Sequence, residues 1–122
     1  MDLPALNLVV IRSPDIEKAM AFYSALGLRF TKHAHGTGPE HYASEGAGLT
    51  FEIYPQGEAG QATTGTRLGF TVADLDALLP ALVEGGGRIA SPAKDSPWGR
   101  RAVVVDPDGH KVELVQASTR AL

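Results

Sequence analysis

The chain has 122 residues, 43% hydrophobic and 20% charged, with a formal net charge of −3, the profile of one ordinary globular domain with a real core. That balance, without any basic run, argues against nucleic acid and membrane surfaces as partners, and zero cysteines exclude disulfides, thiol nucleophiles and thiolate metal sites. No apolar stretch approaches the roughly 20 residues of a membrane span, and the opening MDLPALNLVVIRSPD lacks a signal-peptide pattern, so the expected location is cytoplasmic.

Leu6–Arg12, rich in Val, Ile and Leu, predicts a strand. Ser13 and Asp15 are N-cap candidates, with Pro14 suited to a first helical position. The helix that follows sets Ile16, Ala19, Met20, Tyr23 and Leu26 on one face and ends at Gly27. Short strands are expected at Leu28–His33 and Glu40–Ser44, around a loop rich in His, Gly and Pro, and a longer one at Leu49–Tyr54. PQGEAGQATTGT (Pro55 to Thr66) contains the small-residue linker, residues 56–65. Then come a strand at Leu68–Val72, a helix at Asp74–Glu84 and strands at Arg88–Ile89, Ala102–Val105 and Lys111–Gln116. Pro80 should break or delay the second helix.

The order in the first half is the order in the second. LNLVVIRSPDIEKAMAFYSALGLRF overlays TRLGFTVADLDALLPALVEGGGRIA, and Asp15 to Gly27 spans the same number of residues as Asp74 to Gly86. GLTFEIY likewise overlays GHKVELV, setting Glu52 on Glu113. The chain therefore reads as two βαβββ modules, residues 5–55 and 66–117, within one α+β domain.

Paired βαβββ modules with DIEKAMAFYSALGL early and DPDGHKVEL late resemble the vicinal oxygen chelate superfamily. That superfamily includes glyoxalase I, extradiol dioxygenases, fosfomycin-resistance enzymes and bleomycin-resistance binding proteins. The resemblance covers roughly Leu6 to Gln116 and implies two half-barrels enclosing a cavity, helices outside, and commonly a homodimer. It also implies metal ligands on the first and last strand of each module. The late positions fall on Glu52 and Glu113, the early ones on Leu8 and Leu68. Leucine has no donor atom, whereas a catalytic divalent ion wants about four donors. No cofactor is therefore expected. Zn, Ni, Mn or Mg would have to rely on Glu52 and Glu113, completed by His33, His35 or His41.

Strand alternation from the family's ligand positions nominates Leu8, Thr50, Glu52, Tyr54, Leu68 and Phe70 as cavity-lining residues, with Lys111 and Glu113. Trp98, in SPWGRR, either stacks on a ligand at the rim or packs beneath its loop, and at most one of Arg100 and Arg101 points inward, with Arg100 the nominated ligand contact. The expectation is a small organic molecule held without a catalytic metal. The alternative is a glyoxalase-like lyase or isomerase in which Glu52 or Glu113 moves a proton. A plainer role for each glutamate is an ion pair with Arg12, Arg67 or Lys111. Dioxygenase chemistry is disfavoured, because neither early ligand position holds a histidine. His110, Asp106 and Asp108 fit turn hydrogen bonding, and Phe22, Tyr23 and Phe51 fit the core.

Overall fold

The computed structural model describes residues 2–58 and 60–117. They fall into two compact units, Met1–Thr63 and Thr64–Leu122. The first runs β1 (Leu8–Ser13), α1 (Ile16–Leu26), β2 (Thr31–His33), β3 (His41–Gly46) and β4 (Leu49–Pro55). The second runs β5 (Arg67–Val72), α2 (Leu75–Glu84), β6 (Arg88–Ser96), β7 (Gly99–Val105) and β8 (Lys111–Gln116). Their sheets, β1-β4-β3-β2 and β5-β8-β7-β6, have the same topology, and neither is closed into a barrel. In each, the first and last strands pair in parallel and the rest antiparallel, so the βαβββ repeat is the architecture.

Local chemistry fixes the helix ends. Asp15 caps α1, its Oδ1 accepting from the amides of Glu17 and Lys18 at 3.2 Å each, which satisfies donors that have no partner within the helix. Ser13 supports the cap by accepting from the Asp15 amide, so Pro14 precedes the helix instead of opening it. Asp74 caps α2 through the Ala77 amide. Pro80 does not break α2: the helix continues through it for ten residues. A proline here forfeits the bond to the carbonyl four residues earlier, but Leu75, Leu79 and Leu82 are buried along one stripe, and such packing outweighs propensity.

Strand alternation divides each sheet into two faces. In the first unit Val9, Ile11, Phe51 and Ile53 face α1, where Tyr23 meets Phe22 edge-on at 4.9 Å and Phe51 at 5.0 Å between ring centres. Phe22, Tyr23, Ile11 and Ile53 are fully buried, each contributing roughly 1.5–3 kcal/mol of transfer free energy. Tyr42 belongs to this face too, its hydroxyl donating to Glu17 at 2.8 Å. In the second unit Val104, Val112 and Leu114 form the corresponding core. The β6–β7 hairpin is longer than its sequence suggests: β6 extends to Ser96 and β7 starts at Gly99, with register shifts between Ile89 and Ser91 and between Ser91 and Lys94. Those shifts accommodate Pro92, which has no amide hydrogen for a regular ladder.

Candidate functional site

The faces turned away from the helices carry the chemistry. In the first unit the parallel register sets Leu8 opposite Thr50, Val10 opposite Glu52 and Arg12 opposite Tyr54, and the antiparallel register adds Ala43 opposite Glu52. His33 lies opposite His41 on the neighbouring strand pair. Leu8, Thr50, Glu52 and Tyr54 therefore share one face, as alternation predicts.

The rings on this face are stacked. Tyr54 lies against His41 at 4.1 Å with planes 8° apart, and the Arg12 guanidinium sits 5.1 Å from the Tyr54 ring centre. His33 and His35 continue the group, 5.7 and 5.5 Å from His41. His41, within the expected strand Glu40–Ser44, is only 3% exposed. Its Nδ1 faces the Pro39 carbonyl at 3.3 Å, and its Nε2 faces Glu52 Oε2 at 3.7 Å. The ring thus lies between a carbonyl oxygen on its Nδ1 side and a carboxylate oxygen on its Nε2 side, both of them acceptors.

The second unit differs. Gly69 lies opposite Glu113 and Arg67 opposite Lys111, and both Glu113 oxygens are taken. Arg67 Nη2 reaches Oε2 at 3.1 Å, while Arg101 donates to Oε1. Glu113 thus fills the ion-pair role, with Arg101 a partner that sequence reasoning did not assign to it.

Three nominated residues change place. Leu68 and Phe70 share their face with Val112 and Leu114, the helix side, and not with Glu113, although they border a pocket of about 310 Å³ along β5. A one-residue slip in the overlay reverses every side chain: two residues upstream of the position opposite the glutamate stand Leu8 in one unit and Arg67 in the other. Arg100 also faces the helix, where it holds Asp76 of α2 at 2.8 Å and Asp95 at 3.1 Å, and Arg101 is the inward arginine. Hydrogen bonding to Asp76 and Asp95 pushes the Arg100 pKa up. Trp98, at the β6–β7 turn, is 75% exposed and does not pack beneath its loop.

The family's metal arrangement does not fit these faces. Beside Glu52 stand Leu8 and Val10, and beside Glu113 stand Arg67 and Gly69; none offers a lone pair to an ion. Among the described residues, the group whose ligand atoms already converge within 4.8 Å is Asp106, Asp108 and His110. There Asp106 Oδ1 accepts from the amides of Asp108, Gly109 and His110, each at 2.9 Å, while Oδ2 faces His110 Nδ1 at 2.9 Å. Those bonds fold the turn onto itself, the role expected of DPDGH.

Residues 5–114 match the model of the glyoxalase/bleomycin resistance protein/dioxygenase superfamily. The chain belongs to that superfamily. Among solved structures it is similar to TnmS3, an antibiotic-binding protein from Streptomyces sp. CB03234, at 27% identity and a TM-score of 0.76, covering 97% of this chain and 99% of that one. It is also similar to a glyoxalase/bleomycin resistance protein from Albidiferax ferrireducens T118, at 25% identity and a TM-score of 0.73, covering 93% and 98%. A third, from Streptomyces sp. CB03234 and described in the same words, has 28% identity and a TM-score of 0.69, covering 92% and 100%. No curated protein matches the chain. No helix among the described residues is long and apolar enough to cross a membrane.

Proposed function

We propose that this superfamily member binds a small, flat, basic organic molecule on the helix-free face of its first unit and performs no metal-dependent turnover at the family's usual positions. The observation that carries the reading is the Arg12–Tyr54–His41 stack with Glu52 beside it. Flat rings held in register supply dispersion and π contact without the cost of being ordered on binding. Glu52 supplies one partly shielded negative charge to attract and orient a cation. Leu8 and Val10 add apolar floor on the same face. The likeness to an antibiotic-binding protein supports a ligand of this kind. A homodimer in which both copies present this face is part of the reading.

The test is calorimetric titration, in the presence of EDTA, with a panel of basic aromatic compounds that includes bleomycin. Binding should weaken sharply in Tyr54→Ala and moderately in Glu52→Gln, with circular dichroism showing both variants folded. Turnover of methylglyoxal with glutathione, abolished by Glu52→Gln, in a protein that binds none of the panel would replace this reading with a proton-transferring lyase.

A further inference from the structure

The helix-free face of the second unit gathers positive charge. Arg67 lies opposite Lys111 on β5 and β8, and Lys94 lies opposite Arg101 on β6 and β7. Arg101 in turn lies opposite Val115, which alternation sets on the same face as Lys111 and Glu113. A bulge brings Lys94 there. Ser91 pairs with Val103 and Lys94 with Arg101, so three steps along β6 match two along β7. A regular ladder would set Ala93 opposite Arg101, and re-aiming a side chain is a recurrent use of such bulges. In a chain of net charge −3, this face reverses the overall sign.

The cations border a cavity. Arg67, Lys94 and Arg101 line a pocket of about 390 Å³ together with Ser91, Pro92 and Val103, at the small end of the roughly 300–1,000 Å³ usual for ligand sites. Its charges are not balanced. Glu113 is shared by Arg67 and Arg101, and Asp95, which also borders the pocket, is held by Arg100 at 3.1 Å. Among the described residues Lys94 has no ion pair, so three cations against one carboxylate leave two positive charges around the cavity. Each arginine uses Nη2 for Glu113, which leaves the rest of its N–H fork for a ligand. Opposite Glu113, the missing side chain of Gly69 leaves open space, as at strand positions that a ligand approaches closely.

We infer that this pocket binds the phosphate group of a small organic phosphate monoester. Such a group carries about −1.5 to −2 charge at pH 7, which answers both uncompensated cations, whereas a carboxylate answers one. Guanidinium forks grip phosphate oxygens in pairs, and a lysine adds a mobile point charge. The Ser91 hydroxyl supplies a further donor, and Pro92 and Val103 offer apolar surface to the organic remainder. The inference goes beyond the ligand reading of the first unit and does not rest on it, since it concerns the other unit and a ligand of opposite charge.

The experiment titrates the full-length protein with phenyl phosphate by calorimetry in a low-salt, phosphate-free buffer, with benzoate and inorganic phosphate in parallel. The expected result is one site per chain that prefers phenyl phosphate to benzoate by roughly tenfold, the worth of one charge-assisted hydrogen bond. Inorganic phosphate, which has no organic part, should bind more weakly than phenyl phosphate. Lys94→Gln should weaken phenyl phosphate by roughly tenfold with an unchanged circular dichroism spectrum, since Lys94 is exposed. Lys18→Gln removes the same charge from exposed α1 of the first unit and should bind as the parent does. No binding by the parent, benzoate or inorganic phosphate held as tightly as phenyl phosphate, or equal losses in Lys94→Gln and Lys18→Gln would each overturn the inference.

Discussion

Asp106→Ala removes a carboxylate that closes the turn before β8, and the loss can be worked from its bonds. Asp106 and His110 have fully buried side chains, and Asp106 serves the His110 amide through Oδ1 and the His110 ring through Oδ2. Truncation removes the acceptor that both groups use here, at up to about 1–3 kcal/mol each, or about 4 kcal/mol together. The Gly109 amide, in an exposed residue and also bonded to the Asp106 carbonyl at 3.1 Å, adds little. Against a typical domain stability of about 5–15 kcal/mol this is severe, a fall in Tm of about 15 °C for a chain this size. Asp106→Asn keeps an oxygen for the three amides and disturbs only the ring contact, at about 1–2 kcal/mol. Urea denaturation followed by circular dichroism at pH 7 reads both, with the m-value expected to stay constant. Asp106→Ala within about 0.5 kcal/mol of the parent, the ordinary scatter of surface changes, or Asp106→Asn as damaging as Asp106→Ala, would refute this account of the turn.

Three further outcomes follow from other contacts. Gly99→Ala should cost at least the roughly 1–3 kcal/mol of backbone strain, because Gly99 has φ of +129° and an added Cβ would come within 2.3 Å of the Gln116 carbonyl oxygen; thermal unfolding checks it. Trp98→Ala should leave stability within about 0.5 kcal/mol, since the side chain is mostly exposed, so any loss of ligand affinity in that variant reports contact and not folding. Hydrogen bonds from Tyr42 and then Lys32 hold the Glu17 carboxyl below its ordinary 4.5. That contribution is present above pH 4.5 and disappears as pH falls through the lower folded value. The bond to Glu17 raises the Tyr42 phenol pKa above 10.0, so its contribution is present below pH 10.0 and lost as pH rises through the raised value. The stability gap between parent and Tyr42→Phe should therefore be widest between these limits and narrow at both, as denaturation at acid, neutral and alkaline pH will read.

The repeat made the fold legible, because the two Asp caps and two late glutamates sit at matching places in each module. Faces were less legible. In RLGFTV the apolar residues Leu68, Phe70 and Val72 alternate with Arg67, Gly69 and Thr71, so the pattern itself points Leu68 to the helix side. Laying the strand over LVVIRS, which has no such alternation, obscured this. The long β6 was hidden for a different reason: SPAKDS has no strand propensity, and partners on β7 hold it extended. His41 adjoins a Gly/Pro-rich loop, which masks its burial. The signal for its burial was position, since the residues after it, YAS, belong to a buried strand.

The separation of faces within each sheet has a consequence for how such a chain can change over time. Phe51 and Ile53 secure the fold while Thr50, Glu52 and Tyr54, interleaved with them, face away. Substitutions at the even-numbered positions of β4 are thereby screened by what they recognise, and those at the odd-numbered positions by whether the protein survives. A randomised library confined to Leu8, Val10, Thr50, Glu52 and Tyr54 should consequently yield mostly folded proteins with divergent affinities. The two units already differ in this way, one face carrying imidazole and the other guanidinium, on the same strand topology.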